Sequence, residues 1–226
     1  MQENADYAFL ADMEKSILGR LESSASGNID RLTLVNTELS CVEKYSNESF
    51  YDTALQEVAK KYIEGLNIQK DALDKEYEWE YQIEWQRGIV YRYGALKELY
   101  EGYGFLKDSE KFVGAYVSQY DEEKNLLTAY EDIEADLTEQ FNSDKFKFNR
   151  ISRNQLSGVL KNNTAHTYTT FFEMSFYDKN EILYETSTTY VENIKPGKGF
   201  EFIFYVEDLD RCESWSLHNF YDDVKY

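Results

Sequence analysis

The chain has 226 residues, with 24 Lys and Arg against 43 Asp and Glu, for a formal net charge of −19. A surface that negative repels phosphate backbones and anionic headgroups, so nucleic acid and direct membrane insertion are poor candidates. With 42% hydrophobic and 30% charged residues, and no run near the ~20 apolar residues that span a bilayer, the composition is that of a soluble globular protein.

Met1 to Asp6 are polar. A secretion leader, if the protein uses one, is therefore expected upstream of the chain as given. Cys41 and Cys212 are the only cysteines, too few for a disulfide framework or a structural zinc site. Two free thiols are the first expectation, and a single bridge between domains is the alternative.

Apolar residues at spacings of three and four predict helices along the first 145 residues. Phe9, Leu10, Met13, Ile17 and Leu21 form the first stripe, ending near Ser26-Gly27. Ile29, Leu32, Val35, Leu39 and Val42 form the second, behind a cap at Asn28. Tyr51, Leu55, Val58, Tyr62 and Leu66 form the third, with Ser46, Asn47 and Ser49 available as caps. Tyr77 to Trp85 alternate apolar and polar as a strand would, yet Glu and Gln favour helix and no turn residue interrupts the run to Tyr103. Read as helix, the segment carries two stripes. Tyr77, Tyr81, Trp85, Ile89, Leu96, Leu99 and Tyr103 lie on one face, and Trp79, Ile83, Val90 and Tyr93 on another. One stripe suffices to pack a helix onto a bundle. The second makes Trp79, Ile83, Val90 and Tyr93 the candidate partner-binding residues. Leu126, Tyr130, Ile133, Leu137 and Phe141 complete the helical part.

The period changes between Asn142 and Ile151. Thr167 to Met174, Ile182 to Val191 and Phe200 to Val206 are short runs rich in Val, Ile, Thr, Phe and Tyr, which predict antiparallel strands. Asp178 to Glu181 reads as a hairpin turn and Lys195 to Gly199 as a loop. Phe200, Phe202 and Phe204 are expected to point inward, and Glu201 and Ile203 the other way. The fold class is thus α+β in two domains, an α-helical bundle over 1–145 and an antiparallel β-sandwich over 146–226.

Gly158 to Thr164, Phe172 to Asp178 and Ile194 to Gly197 together resemble the FxLYD domain family, whose eponymous run would fall on Met174-Ser175-Phe176-Tyr177-Asp178. Met and Phe stand here where Phe and Leu are usual, and Asn180-Glu181 replaces the common Asp-Gly turn. The resemblance spans about Phe148 to Trp215. It implies an immunoglobulin-like β-sandwich and an extracytoplasmic place in a bacterial cell envelope, such as that of a lipoprotein, and it carries no catalytic residue.

No catalytic, cofactor or metal motif was found. His166 and His218 make no HExxH helix, and G-x-S-x-G and phosphate-binding loops are missing. The acidic runs Asp121-Glu122-Glu123 and Glu207-Asp208-Leu209-Asp210 lack EF-hand spacing. The expected function is a non-enzymatic binding or structural module, with another envelope protein or a second copy as partner and the sandwich as spacer. A hydrolase acting on envelope glycans through a carboxylate pair is the alternative.

Overall fold

The computed structural model describes residues 5–25, 30–75, 81–105 and 110–226, with no side-chain detail for 22–25, 110–113 and 222. The protein is α+β in two parts. Among the described residues five α-helices, α1 (Ala5–Ala25), α2 (Arg31–Val42), α3 (Thr53–Asp74), α4 (Tyr81–Tyr103) and α5 (Glu110–Phe141), precede six strands. Met1–Leu127 and Thr128–Tyr226 form two compact units, so the division falls inside α5. The change of period near Asn142 marks where helix gives way to strand, not where the second unit begins.

Two helix starts sit slightly later than the sequence places them. Asp52, rather than Ser46, Asn47 or Ser49, caps α3, its carboxylate accepting the Ala54 and Leu55 N–H groups at 2.9 and 3.1 Å. An aspartate directly before the first turn also faces the positive end of the helix dipole. Tyr51 therefore lies outside the helix and is 88% exposed, while Leu55, Val58, Tyr62 and Leu66 are buried as expected. Asp30 caps α2 through the Thr33 N–H at 2.8 Å. The expected cap Asn28, the helix end at Ser26-Gly27, Ile29, Tyr77 and Trp79 lie outside the described residues.

The helical core gathers Phe9, Met13 and Ile17 of α1, Val35, Leu39 and Val42 of α2, the α3 stripe, and Leu96 and Leu99 of α4. Leu32 of the predicted α2 stripe stays exposed. The α3–α4 contact is made by small residues. A Cβ on Gly88 would come within 2.4 Å of Gln69 Cγ and 2.8 Å of the Gly65 carbonyl oxygen. The two backbones can meet this closely only where neither position carries a side chain.

The strands are β1 (Asn149–Ser152), β2 (Gln155–Lys161), β3 (Thr167–Tyr177), β4 (Leu183–Ile194), β5 (Gly199–Tyr205) and β6 (Ser214–Lys225). They form two antiparallel three-stranded sheets, ordered β1-β2-β5 and β4-β3-β6. Alternation puts Phe172, Met174 and Phe176 of β3 and Phe202 and Phe204 of β5 in the core, with Glu201 turned out. Phe172 stacks on Phe202 at 4.6 Å, joining the two sheets, and Phe141 at the end of α5 packs edge-on against both rings.

Gly158, Asn162 and Asp178 each have a packing or hydrogen-bonding role. Gly158 lies under the Phe202 ring, where a Cβ would approach Cζ to 2.4 Å. We expect Gly158→Ala to destabilise the β unit by about 1–3 kcal/mol through overpacking, read as a shift in denaturant midpoint at constant slope. An unchanged midpoint would show that Phe202 can move aside. Asn162 is fully buried. Its amide donates to the His166 and Ile194 carbonyls at 2.7 and 3.1 Å, and its oxygen accepts from the Thr164 N–H and hydroxyl at 2.9 and 2.8 Å. Asp178 closes the β3–β4 turn by accepting the Asn180 and Ile182 N–H groups at 2.8 and 3.2 Å. Those N–H groups, with Arg211, hold its carboxyl below the usual range, so this turn's contribution to stability is lost only as pH falls through that lowered value. In the same turn Glu181 adopts the left-handed conformation at φ 60°, a region non-glycine residues seldom visit.

Candidate functional site

The helical unit contains a polar node. Glu38 of α2 is fully buried and accepts hydrogen bonds from Arg20 of α1 and the Tyr62 hydroxyl of α3. The Arg92 guanidinium of α4 lies 3.0 Å from the same carboxylate and also donates to Gln69 Oε1 at 3.2 Å. Burial works against the Arg92 charge, but the adjacent carboxylate outweighs it and holds the guanidinium protonated. Burial and the same carboxylate push the Tyr62 phenol well above its ordinary value. The Glu38 carboxylate is thus fully buried between two guanidiniums and a phenol hydroxyl, with no face open to a substrate. The node does structural work.

Gln86, Tyr93 and Lys97 of α4 reach α5. Gln86 donates to the Glu123 carbonyl at 3.0 Å and to its carboxylate at 2.6 Å. The Tyr93 ring meets Tyr116 edge-on at 5.1 Å, and Lys97 reaches Asp121 at 3.5 Å. Burial raises the Tyr93 phenol pKa. Ile83 and Val90 are half-buried on the same helix. Of the four sequence candidates, then, Tyr93 is packed within the unit, Ile83 and Val90 keep part of their surface, and Trp79 lies outside the described residues. Arg92 and Glu38 were not singled out from sequence, since a charged residue within an apolar stripe reads as an interruption of the stripe and not as a buried partner.

Two shallow grooves run along α3. One, of about 470 Å³, is lined by Ile68, Asp71, Asp74, Lys75, Glu84 and Arg87, with Lys75 and Glu84 paired at 3.2 Å. The other shares Ile68 and Asp71. Neither has a Tyr or Trp wall of the kind that binds sugar rings.

The acidic runs are engaged locally. Asp121 and Glu123 face Lys97 and Gln86, Asp208 accepts the Asp210 N–H at 3.1 Å, and Asp210 pairs with Arg150 at 2.7 Å. Among the described residues no group of three His, Cys, Asp or Glu is placed to hold a metal ion. His166 bonds Asp132 of α5 at 3.0 Å. Both cysteines are free, and burial pushes the Cys212 thiol up, away from the thiolate that nucleophilic chemistry needs. Among the described residues no helix is long and apolar enough to cross a membrane. No family model, curated protein or solved structure matches the chain, so its functional reading rests on its own residues.

Proposed function

We propose that this chain is a non-enzymatic binding or structural module of a bacterial cell-envelope protein, acting outside the cytoplasm. The β unit serves as an FxLYD-like, immunoglobulin-like sandwich and spacer, and the helical unit contacts a partner, either another envelope protein or a second copy. The observation that carries the reading is Asn162. All its hydrogen-bonding capacity goes to holding the ends of β2, β3 and β4 together, as a fold-defining residue of such a domain would. Two three-stranded antiparallel sheets around one aromatic core are consistent with the same assignment.

Location is tested with a membrane-impermeant amine label on intact cells of the native host. Labelling before lysis is expected, and labelling only after lysis would sink the envelope assignment. The proposed docking face is the part of the second α4 stripe drawn by Trp79, Ile83 and Val90, beside Tyr93, which packs on Tyr116. Trp79→Ala and Ile83→Ala are expected to leave unfolding nearly unchanged while lowering self-association measured by sedimentation or affinity for an envelope partner. If either substitution instead costs about 3 kcal/mol or more of stability, as a core truncation does, that face belongs to the bundle interior.

A further inference from the structure

We propose that the helical unit is built to open between two helix hairpins, α1–α2 and α3–α4, along a polar seam whose register is set by the Glu38 node. α1 packs along α2, and α3 along α4, more extensively than the first pair meets the second. Across that seam the chain places its buried charges. Glu38 and Arg20 come from the α1–α2 side, and Tyr62, Gln69 and Arg92 from the α3–α4 side.

The node is short of acceptors. Two guanidiniums share one carboxylate, and both Arg92 Nε and Gln69 Nε2 are buried with no hydrogen-bond partner. When the hairpins part, water satisfies every one of these donors, so the polar seam gains hydration that an apolar seam would not. Buried ionic groups of this kind are better attested as registers and switches than as stabilisers. The Arg20 side chain keeps 17% of its surface exposed, which places the wet edge of the node on α1. The α3–α4 hairpin has its own lock, the Gly65–Gly88 backbone approach, which does not involve α1 or α2.

The test is native-state hydrogen exchange on the full chain. In the wild type, the amides of α1 and α2 should exchange as one group, about tenfold or more faster than the slowest amides of α3 and α4. Gly65→Ala, whose Cβ would meet the Gly88 carbonyl oxygen at 2.9 Å, should speed exchange in α3 and α4 while leaving α1 and α2 unchanged, because the contact it damages persists in the open form. Glu38→Gln should speed both groups by the same factor, since it weakens only the closed form. One common rate for all four helices in the wild type, or acceleration of all four by Gly65→Ala, would overturn the proposal and show a single cooperative bundle.

Discussion

Phe202→Ala is expected to destabilise the β unit by about 3–5 kcal/mol, the range for deleting a fully buried aromatic side chain. Phe202 is 1% exposed in the middle of β5. Its ring stacks on Phe172 of the opposite sheet and meets Phe141, Phe148, Phe200 and Phe204 within 6.4 Å. Truncation would leave a cavity lined by rings too large to collapse into it, with Gly158 offering no side chain from beneath. Relaxation is therefore limited, and the cost should sit in the upper half of the range. The measurement is denaturant-dependent exchange of the β3 and β5 amides. Unaltered protection of those amides would mean that the alternation along β5 is inverted.

The inward alternation of Phe200 to Phe204 was legible because a half-buried strand repeats every two residues and aromatics mark the buried side. The helices were legible for the matching reason at a period of 3.6. Periodicity does not say which core a stripe faces. Ile133, Leu137 and Phe141 read correctly as one face of a helix, yet they belong to the compact unit that holds the strands. There Phe141 packs on Phe172 and Phe202, Tyr130 stacks on Tyr221 at 5.5 Å, and Glu134 accepts the Tyr221 hydroxyl at 2.5 Å. Caps were misplaced by a few residues because Ser, Asn and Asp all satisfy the same N–H groups, and only the register of the first turn selects among them. The Gly65–Gly88 approach left no signal, since an isolated glycine in a helical pattern reads simply as a weak helix former. Arg92 was concealed differently. It falls on the face of α4 that meets α3, and a hydrophobic stripe counts it as an interruption.

Glu38→Gln is expected to cost the helical unit about 3–5 kcal/mol, as breaking one partner of a buried ion pair does. The substitution is nearly isosteric, so cavity formation contributes little and the effect reports charge. With the carboxylate gone, Arg92 would keep a buried positive charge whose remaining acceptor among the described residues is Gln69 Oε1, and Arg20 would lose its ionic partner as well. The Tyr62 hydroxyl could still donate to the new amide oxygen, which separates the ionic loss from the loss of a neutral hydrogen bond. The complementary variant replaces the whole node, with Arg20→Met, Glu38→Leu and Arg92→Met together. It removes three desolvated charges and the unpartnered Arg92 Nε. Its stability is expected to be near that of the wild type or above it, because the Coulombic gain inside the protein barely offsets the hydration given up. Urea denaturation followed by far-UV circular dichroism, dominated by the helical signal, measures both. A triple variant as unstable as Glu38→Gln would show that the network's hydrogen bonds, and not merely the pairing of charges within it, hold the four helices together.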